Sequence, residues 1–322
     1  MKPFQRVYVE ITNQCNLQCS FCPGTGRKKG FVSKQVFEKR IAEIAPLAEQ
    51  VFLHVLGEPL LHPELPDLLQ ICRQYELPVN VCTNGFLLDA SRENMLFDPI
   101  VRQVNFSLQA LLESAVPHTA EKVFQKILQF CRNAPEQRPD LYINLRTWDF
   151  SRDFAHSALK DKLIQQLTEA FDLTGRIPDF SRGRKSHRLC GRIYWNADTR
   201  FEWPVSGKEQ SPQRQPESHA VPMPELDDPL MQQQIRNAPA GFCHGLGSQF
   251  AVLTGGEVVP CCLDSEGSAV LGNMDEKALS DILSSPVAAA IREGFKQHRV
   301  WHSFCRTCSF RKRFDQNKYT DR

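Results

Sequence analysis

Short β-branched runs alternate with amphipathic stripes through the first 170 residues, and this alternation constrains the architecture more than any other feature of the chain. Strand candidates are Arg6–Ile11, Val51–Val55, Val79–Thr83, Val101–Ser107 and Leu141–Leu145. Between them Phe37, Ile41 and Ile44 recur at helical spacing, as do Leu65, Leu68, Leu69 and Cys72, then Val123, Ile127 and Cys131, then Leu159, Leu163, Ile164 and Leu167. Each set forms one apolar stripe that a helix can bury. Strands that return through helices build a parallel sheet. The chain is therefore predicted to be α/β: a partial or complete (β/α) barrel, or an open doubly wound sheet, with ligands at the carboxyl ends of the strands.

The regularity fails from about Gly175, where only Arg192–Trp195 and Arg200–Trp203 still read as strands. Residues 206–240, rich in Gln, Pro, Ser and charge, read as a linker or long surface loop. Beyond a boundary near Pro239, Gln249–Leu253 and Glu257–Pro260 form a predicted hairpin through Thr254-Gly255-Gly256, followed by a helix around Ser285–Glu293. The expected layout is a first domain over 1–205, the linker, a small second domain over 241–315, and a tail over 316–322, with the basic residues Arg311, Lys312, Arg313, Lys318 and Arg322 read as a solvated end.

Composition narrows the chemistry. Lys and Arg number 39 against 37 Asp and Glu, so no strong field points to nucleic acid or an anionic membrane. No run of about 18 apolar residues suggests a membrane span, and Met1-Lys2-Pro3-Phe4 lead into a strand without a signal-like apolar region. A cytoplasmic location is expected. There, 12 cysteines are too many for disulfides and too clustered for core filling, which leaves metal or redox chemistry.

Cys15, Cys19 and Cys22 fall on the loop after the first strand. Thiolates suit zinc or iron–sulfur centres, and a 4Fe–4S cube with three protein ligands keeps one iron open. The spacing CxxxCxxC, its place after the first strand, and Phe21 before the last Cys together resemble the signature of the radical S-adenosylmethionine (SAM) superfamily. That resemblance implies a partial (β/α)6 barrel, a 4Fe–4S cluster on Cys15, Cys19 and Cys22, and SAM chelating the open iron. It implies reductive cleavage of SAM to a 5′-deoxyadenosyl radical, with flavodoxin or ferredoxin as the electron donor. Phe21 counts among the SAM-binding positions. So do Gly57 and Glu58, because Leu56-Gly57-Glu58-Pro59 is similar to the family's GGEP motif with Leu56 in place of its first Gly. Thr83 and Asn84 after the third strand, and Ser107 and Gln109 after the fourth, resemble further SAM-holding positions.

Arg146 and Trp148, after the fifth strand, are candidates to touch cofactor or substrate. His62 and His118 read as surface or capping residues, Cys72, Cys82 and Cys131 as core filling, and Cys190 as unassigned.

A second group comprises Cys243, Pro260-Cys261-Cys262 and Cys305-Arg306-Thr307-Cys308. Four thiols from a hairpin and a late CxxC can close around one centre, zinc or iron–sulfur alike. The order resembles the twitch or SPASM extension of radical SAM enzymes, and implies an auxiliary 4Fe–4S cluster on Cys243, Cys261, Cys305 and Cys308. The Pro-Cys pattern favours Cys261, although Cys262 is adjacent. Two enzyme readings follow from the resemblance: oxidation of a small-molecule substrate radical through the auxiliary cluster, or maturation of a peptide or protein, for which Arg27-Lys28-Lys29 could recruit an acidic leader. A non-catalytic iron–sulfur or zinc protein is the reading of a different class. No catalytic residue or substrate is assigned from sequence.

Overall fold

The computed structural model describes residues 2–112, 117–148, 158–173, 186–198, 200–204 and 226–315. Ten strands form one sheet: β1 (Arg6–Val9), β2 (Val51–Phe52), β3 (Val79–Thr83), β4 (Val101–Ser107), β5 (Tyr142–Trp148), β6 (Ser186–Cys190), β7 (Ile193–Asp198), β8 (Gln249–Val252), β9 (Glu257–Val259) and β10 (Gly272–Asn273). Their order is β10-β9-β8-β1-β2-β3-β4-β5-β7-β6. Strands β1 to β5 and β7 run parallel, so the predicted six-stranded partial barrel is present and its sheet is not closed. The alternative of a complete barrel does not hold.

The predicted stripes are what the outer face buries. Phe37, Ile41 and Ile44 from the helix Lys34–Ile44 are fully enclosed, as are Leu65, Leu68, Leu69 and Cys72 from Leu65–Gln74. Val123, Ile127 and Cys131 of Pro117–Gln137 join the same core. Opposite them the sheet offers Val7, Val9, Val51, Leu53, Val79, Val81, Val104, Phe106, Ile143 and Leu145. Each large side chain removed from water contributes about 1.5–3 kcal/mol, which holds helices and sheet together. Ser33 caps the first helix by accepting from Val36 N.

The inner face is different in kind. Tyr8, Phe52, His54, Cys82, Asn105, Ser107, Asn144, Arg146 and Asn196 all line an interior cavity. A closed barrel would fill this space with branched aliphatic side chains. Here the polar lining keeps it open.

The C-terminal part extends the same sheet. Strand β8 pairs in parallel with β1, with Tyr8 opposite Ala251, so the hairpin covers the free edge of the barrel. The predicted hairpin is β8 and β9, and the predicted helix is Pro286–Lys296, capped by Ser285. Two expectations change. Residues 200–204 are not a strand. Of the expected linker, residues 206–225 lie outside the described residues, while Pro229–Asn237 is a helix whose Met231 and Ile235 pack with Ala290 of Pro286–Lys296. The expected tail, 316–322, also lies outside the described residues.

Candidate functional site

The loop carrying Cys15, Cys19 and Cys22 is fixed at its base. Thr12 Oγ1 donates to Gly30 O at 2.8 Å, and Asn13 exchanges hydrogen bonds with Lys28 O at 3.0 Å and Gly30 N at 2.9 Å. Between these stems the cysteine segment turns tightly, with Cys22 N donating to Cys19 O. Cys15 Sγ accepts from Leu17 N at 3.5 Å and Asn84 Nδ2 at 3.8 Å. Amide donors of this kind stabilise a thiolate and tune a cluster bound to it. Burial raises the Cys15 thiol above its ordinary value, and the Leu17 amide only partly opposes this.

Gly57 sits against that loop. Its φ is +77°, and a Cβ there would lie 2.3 Å from Thr12 O and 2.9 Å from Gln14 O. Only glycine combines this backbone conformation with so close an approach. Glu58 N then donates to Gln14 O at 2.8 Å, joining the loop that follows β2 to the residue before Cys15. The Glu58 carboxylate is buried, accepting from Leu60 N at 3.0 Å and Asn84 N at 2.8 Å. Burial pushes its pKa up to about 7, while the two amides pull the other way. Asn84 Nδ2 reaches Asn16 Oδ1 at 2.8 Å. Thr83 Oγ1 accepts from Gly85 N, Ser107 Oγ lies 3.5 Å from Cys82 Sγ, and the buried Gln109 Oε1 has no partner among the described residues. Gly57, Glu58 and Asn84 thus touch the cysteine loop, and Thr83, Ser107 and Gln109 line the same cavity as it does.

The second group lies across the same space. Cys261, Cys305 and Cys308 are buried and Cys243 is half-buried. Burial raises Cys261 well above its usual value, and its neighbours Cys262, Cys243 and Cys305 add to the rise. Cys305 is raised by burial and then by Cys243 and Cys308. These four thiols crowd one another, so ionising them requires a compensating cationic centre. Cys262 lines the same cavity but has other partners: it hydrogen-bonds Tyr8, feels Arg146 and Arg6, and packs with Tyr8 and Val55. Asp264 accepts from Ser268 N at 2.6 Å and Ala269 N at 2.7 Å, fixing the turn that follows. Among the described residues no three His, Cys, Asp or Glu side chains converge at the spacing of a single metal ion.

Both groups open on one cavity of about 860 Å³, lined by Cys15, Cys19 and Cys22 on one side and by Cys243, Cys261, Cys305 and Cys308 on the other. An aromatic seam closes its flank, running from Phe21 through Trp148 and Phe201 to Phe310 and Phe314. Trp203 Nε1 donates to Phe21 O and ties that seam to the cysteine loop. Soft thiols in two sets, a glycine cradle that no Cβ could enter, and the orphaned polar atoms Gln109 Oε1 and Trp148 Nε1 fit iron–sulfur centres beside a polar cofactor.

Sequence reasoning missed several residues here. Glu10 is fully buried, and its carboxylate accepts from Leu56 N at 3.2 Å, Arg27 Nη2 at 2.8 Å, Thr254 N at 3.0 Å and Thr254 Oγ1 at 2.7 Å. Arg27 Nε also donates to Ser265 O at 2.7 Å. Arg27 is therefore an internal clamp between the two cysteine segments and not a free recruiting cation. Cys82, expected to fill the core, lines the cavity instead, because its strand turns that face inward. Cys72 and Cys131 are buried as expected. His62 is buried, with Nδ1 accepting from Glu64 N, and His118 is exposed.

The chain carries a Radical SAM superfamily domain over residues 9–148 and an SPASM iron–sulfur cluster-binding domain over residues 243–309. Domains of these kinds bring SAM and 4Fe–4S clusters as their cofactors. Among curated relatives, a probable GTP 3′,8-cyclase of Archaeoglobus fulgidus is 32% identical over 107 residues, covering 32% of this chain and 35% of the relative. A tungsten-containing aldehyde ferredoxin oxidoreductase cofactor-modifying protein of Pyrococcus furiosus is 26% identical, covering 43% of this chain and 42% of its own length. The matched segments thus span less than half of either relative. Among solved structures, BtrN in complex with AdoMet and 2-DOIA aligns over 92% of this chain and 89% of its own, with a TM-score of 0.51 and 16% identity. Native anSMEcpe with bound AdoMet gives 0.54 and 13%, covering 95% of this chain and 86% of its own. These likenesses establish the fold. Among the described residues no helix is long and apolar enough to cross a membrane.

Proposed function

We propose that the chain binds SAM at a 4Fe–4S cluster on Cys15, Cys19 and Cys22, removes a hydrogen atom from a small polar substrate, and completes a two-electron oxidation with an auxiliary 4Fe–4S cluster on Cys243, Cys261, Cys305 and Cys308. When bound and reduced, the first cluster and SAM supply the 5′-deoxyadenosyl radical that the abstraction requires. The chain's own residues bind, orient and shield. The carboxylate of Glu58, the turn at Gly57 and the groups of Phe21, Thr83, Asn84, Ser107 and Gln109 hold SAM. The aromatic seam from Phe21 to Phe314 excludes water from the flank.

The observation that carries this reading is the single cavity shared by both cysteine sets. A substrate seated there lies within reach of both centres. Residues 1–205 then serve as the radical-generating unit, 206–240 as the connection, 241–315 as the auxiliary unit and 316–322 as the tail. A flavodoxin or ferredoxin in the cytoplasm serves as reductant. The test is anaerobic incubation of the reconstituted protein with SAM and dithionite. Formation of 5′-deoxyadenosine that depends on Cys15, Cys19 and Cys22 is expected, and its absence contradicts the reading. Turnover of a peptide and of no small molecule would replace substrate oxidation with peptide maturation.

A further inference from the structure

The inner face of β2 to β7 holds an arrangement that neither the cysteines nor the SAM motifs use. Its floor is an amide network. Gln103 Nε2 and Asn144 Nδ2 both donate to Asn105 Oδ1 at 2.9 Å, and Asn105 Nδ2 donates to Val81 O at 3.2 Å; behind the lining Asn80 Nδ2 donates to Gln50 Oε1 at 3.0 Å, while Asn80 Oδ1 has no partner among the described residues. These bonds hold the floor rigid. One step nearer the cysteine loops, two polar atoms of residues lining the cavity are left open. His54 Nδ1 and Asn196 Oδ1 are buried atoms with no hydrogen-bond partner among the described residues. Arg146, directly opposite Asn196 in the β5–β7 register, lies beside His54 and Cys262, and its one side-chain hydrogen bond among the described residues goes to Cys82 Sγ, at 4.0 Å.

The charge balance points the same way. Among the described residues no carboxylate forms an ion pair with Arg146. Of the two carboxylates lining the cavity, Glu58 accepts from Leu60 N and Asn84 N, and Asp198 pairs with Arg313 at 2.8 Å. Arg146 is half-buried, and its guanidinium faces the cavity without a carboxylate partner, so a bound anion would supply a charge-assisted contact. His54 adds no second cation: burial, and then Arg146, lower its pKa to about 3. It stands neutral against the edges of Tyr8 and Phe52, with ring centroids at 5.7 and 6.0 Å.

We propose that Arg146, His54 and Asn196 form the substrate subsite, and that the substrate is a small hydroxylated anion. Its carboxylate or phosphate pairs with Arg146, and its hydroxyls reach Asn196 Oδ1 and His54 Nδ1. This rests on the reading of the cavity as the reaction chamber. A small ligand fits because the space of about 860 Å³ is shared with the cofactors and walled by aromatic side chains.

The test is calorimetric titration of the anaerobically reconstituted, SAM-loaded protein with gluconate, glucose 6-phosphate, glucose and an acidic hexapeptide. At least one anion should bind ten-fold or more tightly than glucose, as expected of one charge-assisted contact. Whether gluconate or glucose 6-phosphate leads distinguishes carboxylate from phosphate. Arg146→Met should remove the preference, and Arg102→Met, elsewhere on the lining, should retain it. Asn196→Asp, nearly isosteric, sets a carboxylate opposite Arg146 and should also abolish the preference, which covers misfolding of the methionine variant. Equal binding of glucose and both anions, tighter binding of the peptide, a preference that survives Arg146→Met, or loss of SAM affinity alone in that variant would overturn the proposal. The 5′-deoxyadenosine assay on the same samples reports the radical chemistry separately. Failure there sinks the proposed function, whereas SAM cleavage without anion preference sinks only the subsite.

Discussion

Replacing Glu10 with Gln removes the charge at the point where the two cysteine segments are joined. The wild-type carboxylate is fully buried and accepts from Leu56 N, Arg27 Nη2, Thr254 N and Thr254 Oγ1. Glutamine keeps the shape but offers one acceptor oxygen, so its NH2 must face donors. Arg27, whose side chain is 15% exposed, loses its counter-charge. Breaking a buried ion pair by removing one partner costs about 3–5 kcal/mol. That is a large share of the roughly 5–15 kcal/mol by which domains are stable. Urea unfolding of anaerobically reconstituted protein should show this loss for Glu10→Gln. Arg27→Met strands the carboxylate, but three donors remain to it, so its cost is smaller. Because the residues touch, the double variant should recover part of the sum as a coupling energy above about 0.5 kcal/mol. A loss below about 1 kcal/mol in Glu10→Gln, or strict additivity in the double variant, would refute the reasoning.

Gly57→Ala forces a Cβ to within 2.3 Å of Thr12 O, so this variant should lose iron from the amino-terminal site while keeping the auxiliary centre, as iron and sulfide analysis will show. Cys261→Ala should lose the auxiliary centre and Cys262→Ala should retain it, because Cys262 faces Tyr8 and Arg146, an outcome that electron paramagnetic resonance of the reduced proteins can read. Burial raises Glu58 from 4.5 to about 7, so the fold favours its protonated form. Its contribution is complete below pH 4.5 and is lost as pH rises through 7, an effect of at most about 3 kcal/mol. Stability of the wild type measured between about pH 5 and 8 should carry this decline, and Glu58→Gln should flatten it.

The architecture was legible because each layer writes its own period. Phe37, Ile41 and Ile44 announce a helix face, and the runs at Val79–Thr83 and Val101–Ser107 appear as strands with the predicted bounds. The cysteine segments were legible because thiol spacing on a short loop is local. What escaped was long-range. Glu10 gains meaning only from Leu56 and Thr254, 46 and 244 residues away, which no local pattern records. His54 was hidden inside an apolar run, although period two sets it and Phe52 on the face opposite Val51 and Leu53. The same rule turns Cys82 into the cavity. Arg27 reads as part of a basic cluster, yet its partner at Glu10 lies back across the cysteine loop. The helix at Pro229–Asn237 lay in a Gln-rich stretch whose composition resembles a loop, but its Met231 and Ile235 find a partner in Pro286–Lys296.

The central claim is that two separate iron–sulfur centres face one chamber. It is tested most directly by Mössbauer spectroscopy and iron quantification on anaerobically reconstituted protein, with Cys15, Cys19 and Cys22 intact or all replaced by Ala. Two 4Fe–4S centres are predicted in the intact protein and one in the triple variant, with the SAM-dependent change in the spectrum lost alongside the first. A protein that binds one centre whether or not those three cysteines are present, or that binds zinc in place of iron, would contradict it.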